Sequence, residues 1–292
     1  MTGFADRFWW SNDGLRLHYR DYPADAGYED RPPLICLPGL TRNARDFENL
    51  ANRYAGKWQV ICPEMRGRAD SAYAKDPMTY VPLAYLQDVE RLLTDLGRPR
   101  VVVIGTSLGG ILTMLMAPTH VDRLAGALIN DIGPRLEEAG LSRIRAYVGT
   151  GGGFPTWVHA ARALGEMQAA IYPDYGLEDW LAMAKRLYRL NASGRIVLDY
   201  DMRIAEPLKV PGNEAGFDMW SVLPAFRNMP TLIVRGELSD LLSAATAERM
   251  KREIGAQAEL VTVPRVGHAP TLDEPDAMAA IDRLLERVLA RG

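Results

Sequence analysis

Cysteine and histidine are scarce in this chain of 292 residues, with two of the first and four of the second. Cys36 and Cys62 lie in apolar strand-like runs, "LICLPG" and "QVICPE", at a spacing that fits no zinc or redox motif, so buried reduced thiols are expected. The four histidines are scattered and form no cluster at ligand spacing, and no metal is expected. Basic blocks are missing too. With 34 Lys and Arg against 37 Asp and Glu, the formal net charge is -3, which argues against nucleic acid or an anionic membrane as partner. No apolar run approaches the roughly 18 residues of a membrane span. The opening "MTGFADRFWWSNDG" lacks the basic region, apolar stretch and cleavage site of a signal peptide. A soluble, cytoplasmic protein is the expectation. Neither the P-loop lysine nor the dinucleotide G-x-G-x-x-G follows a candidate strand, so no nucleotide or other cofactor is expected.

What the chain does have is apolar content, 48% of its residues, enough for a sizeable core. Phe4–Trp10 and Leu15–Tyr22 alternate around "SNDG" and predict an opening hairpin. Apolar strand-like runs then exchange with helical patterns. "PPLICLPG" precedes a helical spacing over Asn43–Tyr54, "WQVICPE" precedes "LAYLQDVERLLTDLG", and "RVVVIG" precedes "LGGILTMLMAPTH". This exchange is the signature of an α/β fold around a mostly parallel sheet. From Pro134 to about Pro224 the pattern is helical, rich in aromatics and almost without alternation. Strand and helix resume at "PTLIVRGE". The expected organisation is a core domain in two pieces, 1–133 and 225–292, with a helical insertion over 134–224. An insertion there belongs above the carboxyl ends of the strands, where open sheets bind ligands.

The five residues Gly105-Thr106-Ser107-Leu108-Gly109 match G-x-S-x-G between a β-branched run and an amphipathic helix. In a nucleophile elbow the serine takes a strained strand-to-helix turn, and the flanking glycines let the two backbones approach without a Cβ clash. The helix that follows directs free N–H groups toward the serine. A serine hydroxyl needs a base. His18 falls in the first hairpin, His120 ends the helix after the elbow and points away, and His159 lies in the insertion. His268, in the loop "RVGHAPTLDEP" after a late strand, is best placed. The base in turn needs a carboxylate from another loop. Asp240 in "RGELSDLLS" is favoured by the order Ser…Asp…His, with Asp131 and Glu237 as rivals.

With these residues in place, the whole chain resembles the α/β-hydrolase superfamily. "LICLPGL" is similar to its oxyanion loop, and by that resemblance the backbone N–H groups of Leu40 and Leu108 form the oxyanion hole. "PEMRGRADSAY" resembles the superfamily's D-x-R-G-x-G-x-S segment, with Glu64 for the aspartate and Ala69 for a glycine. The insertion resembles the cap of esterases, enol-lactonases and carbon–carbon bond hydrolases. Epoxide hydrolases and haloalkane dehalogenases have such caps too, but use an aspartate where Ser107 stands.

The resemblance implies acyl transfer by Ser107, His268 and Asp240 on a small or medium-sized carboxylic ester. Hydrolysis of an enol-lactone or of a carbon–carbon bond is the alternative, and a non-catalytic small-molecule receptor is the alternative of another class. In the insertion, Trp157 and Tyr172 are candidates to line an apolar pocket. Arg42, ahead of Arg45, Arg66 and Arg68, is the candidate to meet a substrate carboxylate. A homo-oligomer is left open.

Overall fold

A sheet covered on both sides needs strands that are apolar on both faces, and the interior strands here are. In the computed structural model, which describes residues 3–210 and 218–291, β3 (Leu34–Leu37), β4 (Val60–Pro63) and β6 (Leu124–Asn130) are buried throughout. They join β5 (Val101–Thr106), β9 (Thr231–Gly236) and β10 (Ala258–Val263) in parallel. The opening hairpin is β1 (Ala5–Trp10) and β2 (Arg16–Tyr22), and β2 adds antiparallel to β4. The resulting eight-stranded order is β1-β2-β4-β3-β5-β6-β9-β10.

Side chains of period two divide between two cores. Ile35, Leu37, Val101 and Val103 pack with α2 (Pro82–Leu96), α3 (Leu108–His120) and α7 (Ala244–Ile254). Leu34, Cys36, Val102 and Ile104 pack with α1 (Glu48–Tyr54) and α8 (Pro275–Leu289) on the other face. Both cysteines are free and buried there.

Between β6 and β9 the chain leaves the sheet. It forms α4 (Glu138–Tyr147), α5 (Trp157–Gln168) and α6 (Leu177–Leu187), and the last two share a hydrophobic cluster of their own with Trp180 and Tyr188. Residues 211–217 of the expected insertion lie outside the described residues. The run "LYRL", read from sequence as the end of a helix, instead enters a small antiparallel pair, β7 (Tyr188–Leu190) with β8 (Ile196–Leu198). Its turn explains the difference. The side chain of Asn191 accepts from the N–H groups of Ser193 and Arg195, and Gly194 takes φ +74°, so the chain reverses. No helix among the described residues is long and apolar enough to cross a membrane.

Candidate active site

Ser107 sits between β5 and α3 with φ 52° and ψ -114°, a conformation costly for a residue with a side chain. The surrounding packing holds it there. A Cβ on Gly105 would lie 2.3 Å from the carbonyl oxygen of Gly109, and one on Gly109 would lie 2.0 Å from that of Leu37. Strand, helix and neighbouring strand therefore touch backbone to backbone, which only glycine permits.

The loop after β10 brings His268 to the serine, with Nε2 2.9 Å from Ser107 Oγ. Nδ1 lies 2.9 Å from a carboxylate oxygen, and that carboxylate belongs to Asp131, not to the expected Asp240. Asp131 follows β6, beside the strand that carries the serine, in a left-handed turn with φ 55°. It is fully buried, and its other donors are the Gly236 N–H at 2.8 Å and the Ser239 hydroxyl at 2.7 Å. An ionised carboxylate only accepts, so Nδ1 carries the proton and Nε2 is free to accept from Ser107.

Asp240 is held elsewhere by α4. The Gly140 N–H donates to its carbonyl, and one turn on, Arg143 forks its carboxylate at 2.6 and 2.8 Å. The Arg143 hydrogen bonds, against a smaller cost of burial, hold the Asp240 carboxyl below its usual range. Glu237, the other rival, accepts from the Arg265 N–H at an exposed position.

Leu108 opens α3 and Leu40 follows β3. Neither backbone N–H has an acceptor among the described residues, and both residues line the same cavity as Ser107 and His268. The Leu40 peptide is clamped from behind by Arg68, whose Nε and Nη2 donate to its carbonyl at 2.9 and 2.7 Å. Arg68 is fully buried, has no carboxylate partner among the described residues, and lies over the Tyr85 ring at 4.6 Å. Nothing in the sequence set it apart from its neighbours. Thr106 and Asn130 form a second support: the Asn130 amide donates to Thr106 Oγ1 and to the Pro270 carbonyl in the histidine loop.

The cavity measures about 340 Å³ and is walled by Ile132, Leu136, Leu141, Ile144 and Leu164 with tyrosines between. Tyr172 lines it and donates its hydroxyl to the Ala269 carbonyl, next to His268. Trp157 does not line it. It starts α5, about two to three turns before Leu164, Met167 and Gln168, which do. Of the arginines flagged from sequence only Arg42 reaches the cavity. Arg45 pairs with Asp199 and Arg66 with Asp88 and Asp13, while Arg68 serves the Leu40 loop.

The remaining histidines are engaged away from the site. His120 pairs with Glu90 and His159 is exposed beside Thr156. His18 is buried between Glu64 and Asp6, each at 2.9 Å. Donor atoms of His18, Glu64 and Asp70 come within 4.8 Å of one another, but both ring nitrogens of His18 are already spent.

Comparison with known proteins places these observations in a family. A model described as "Alpha/beta hydrolase family" matches residues 34–281. The 3-hydroxybutyrate-oligomer hydrolase of Cupriavidus necator is 32% identical over 84% of this chain and 85% of its own. The 2-(acetamidomethylene)succinate hydrolase of Mesorhizobium japonicum is 26% identical over 81% of each chain. A crystal structure of an alpha/beta hydrolase from Novosphingobium aromaticivorans superposes with a TM-score of 0.93 at 57% identity, covering 98% of this chain and 99% of that one.

Proposed function

As the chain belongs to the alpha/beta hydrolase family, we propose that it is a serine hydrolase of small or medium-sized carboxylic esters, acting through an acyl-enzyme. The observation that carries this reading is the unbroken run of hydrogen bonds Asp131–His268–Ser107 beneath a cavity that a small molecule can fill. His268 Nε2 takes the proton of Ser107 Oγ as the oxygen attacks the ester carbonyl. Asp131 fixes the tautomer and stabilises the imidazolium that forms. The N–H groups of Leu40 and Leu108, which have no acceptor among the described residues, receive the oxyanion. His268 then protonates the departing alcohol, and a water activated by the same nitrogen cleaves the acyl-enzyme.

Residues 134–224 act as a cap on a core of 1–133 and 225–292, excluding water from the acyl-enzyme until the alcohol has left. The name of the Cupriavidus relative supports ester chemistry, because oligomers of a hydroxy acid are joined by ester bonds. A fluorophosphonate should label Ser107 stoichiometrically, and Ser107→Ala should lose both the label and the burst with a p-nitrophenyl ester. Turnover by Ser107→Ala near that of the parent protein would remove Ser107 as nucleophile.

A further inference from the structure

Three arginines, Arg42, Arg143 and Arg186, line this mainly apolar cavity. Arg186 turns to Asp273 at 3.4 Å, and neither Arg42 nor Arg143 has spent its hydrogen-bonding capacity. Arg42 gives Nε and one Nη2 hydrogen to Asp46, the second of these at 2.7 Å. Arg143 gives the same two groups to Asp240. A guanidinium carries five N–H donors. Each arginine therefore keeps both hydrogens on Nη1 and one on Nη2, with no acceptor among the described residues.

Tyr147, one turn beyond Arg143 on α4, lines the cavity as well. Its hydroxyl has no partner among the described residues, and the charges of Arg143 and Arg42 both act on it. The stem of Arg42 runs beside the nucleophile. A methyl group built on Gly39 would lie 3.2 Å from Arg42 Cγ and 3.7 Å from Ser107 Cβ.

A purely apolar acyl chain in this space would displace water from these donors and leave them unmet, which is costly for charged groups. A carboxylate has the acceptor geometry to take the free end of such a fork. The acids already on the two arginines do not prevent this. They occupy the Nε side, hold each guanidinium plane in one orientation, and so lower the ordering cost of binding.

We infer that the substrate class is an ester that carries a carboxylate away from the bond to be cleaved, received by Arg42 and Arg143 with the Tyr147 hydroxyl as a further donor. This rests on the serine-hydrolase reading of the same site and deepens it. The acidic end belongs to either the acyl or the alcohol half of the ester, and two substrate pairs distinguish them. One compares mono-p-nitrophenyl glutarate with p-nitrophenyl pentanoate. The other compares β-butyryloxybutyrate with its carboxamide.

In at least one pair the acid should be favoured in kcat/KM by about 10- to 100-fold, mainly through KM, the scale of a hydrogen bond to a charged group. Arg42→Gln and Arg143→Gln should each collapse that ratio, and Arg42→Lys should restore part of it by returning charge without the fork. Tyr147→Phe, which removes only a hydroxyl and tests the site even where a glutamine variant fails to fold, should lower the ratio by a smaller factor. No preference for the acid in either pair, or a preference that survives all these substitutions, would overturn the proposal. Failure of the acyl-enzyme reading shows separately, as full turnover by Ser107→Ala whatever the ratio.

Discussion

An aspartate that orients a histidine must offer one oxygen without being drawn off by a stronger partner. Asp131 does so, because its donors, a backbone N–H and a serine hydroxyl, are neutral and fixed. Asp240 does not, since a cation takes both of its oxygens. Asp131→Asn should therefore lower kcat on an activated ester by on the order of a thousandfold or more, as loss of the correct tautomer does in such triads. Asp240→Asn should cost less than about tenfold on a neutral ester, because it frees Arg143 and leaves the relay in place. Steady-state kinetics of the two variants side by side decide the matter, and the opposite ranking would return the role to Asp240.

Ser107 stood out in the sequence by its G-x-S-x-G setting between strand and helix, and His268 by the scarcity of histidines, and the structure brings the two within 2.9 Å. The acid had three contenders at strand ends, and what draws the favoured Asp240 away is an arginine 97 residues from it in the chain. That contact depends on how α4 settles on the loop after β9, which no local pattern encodes.

At the scale of the element, the strand-turn-helix unit follows from its glycines. The spacing in "GTSLGG" announces close backbone approach, and the contacts at Gly105 and Gly109 give that approach its distances. Gly109→Ala should destabilise the fold by about 2–4 kcal/mol, because the Leu37 carbonyl belongs to the central sheet and cannot retreat. Urea unfolding measures this, and a loss below about 1 kcal/mol would mean that β3 and α3 separate more easily than their packing implies.

Period two and period 3.6 were also readable for nearly every element of the sheet. The pattern was misleading at Tyr188–Leu190, where apolar residues at helical spacing continue past the point at which Asn191 turns the chain. Which aromatics of the insertion reach the cavity was not readable at all. Tyr172 and Trp157 look alike in sequence, and only the position of α5 along the cavity separates them.

Over the whole molecule, the opening hairpin is joined to the core through the buried side chain of His18. His18 on β2 meets Asp6 of β1 on one side and Glu64, after β4, on the other. Glu64 also accepts from the N–H groups of Ala44 and Asp70. Burial opposes a charged imidazole here, but the hydrogen bond and charge of Glu64, aided by Asp6 and Asp70, outweigh it and raise the His18 pKa. A group whose pKa is higher folded than unfolded contributes stability that is complete below the unfolded value, near 6.5, and lost as pH rises through the folded one. Unfolding free energy should therefore fall as pH rises above about 6.5. His18→Gln should be less stable at pH 6, with a flatter profile that approaches the parent protein's at higher pH. Denaturant titrations across that range test it, and an unchanged slope in His18→Gln would show that the imidazole stays neutral.

The strand order also bears on when the site comes into being. Leu40, Ser107, Leu108 and Asp131 all precede the helical excursion, just beyond the ends of the neighbouring strands β3, β5 and β6, and only His268 comes after it. In order of synthesis, the proposed nucleophile, carboxylate and oxyanion amides thus come well before the histidine proposed as base. The enzyme we propose would stay silent through most of its own synthesis, until the loop after its last strand supplies the histidine.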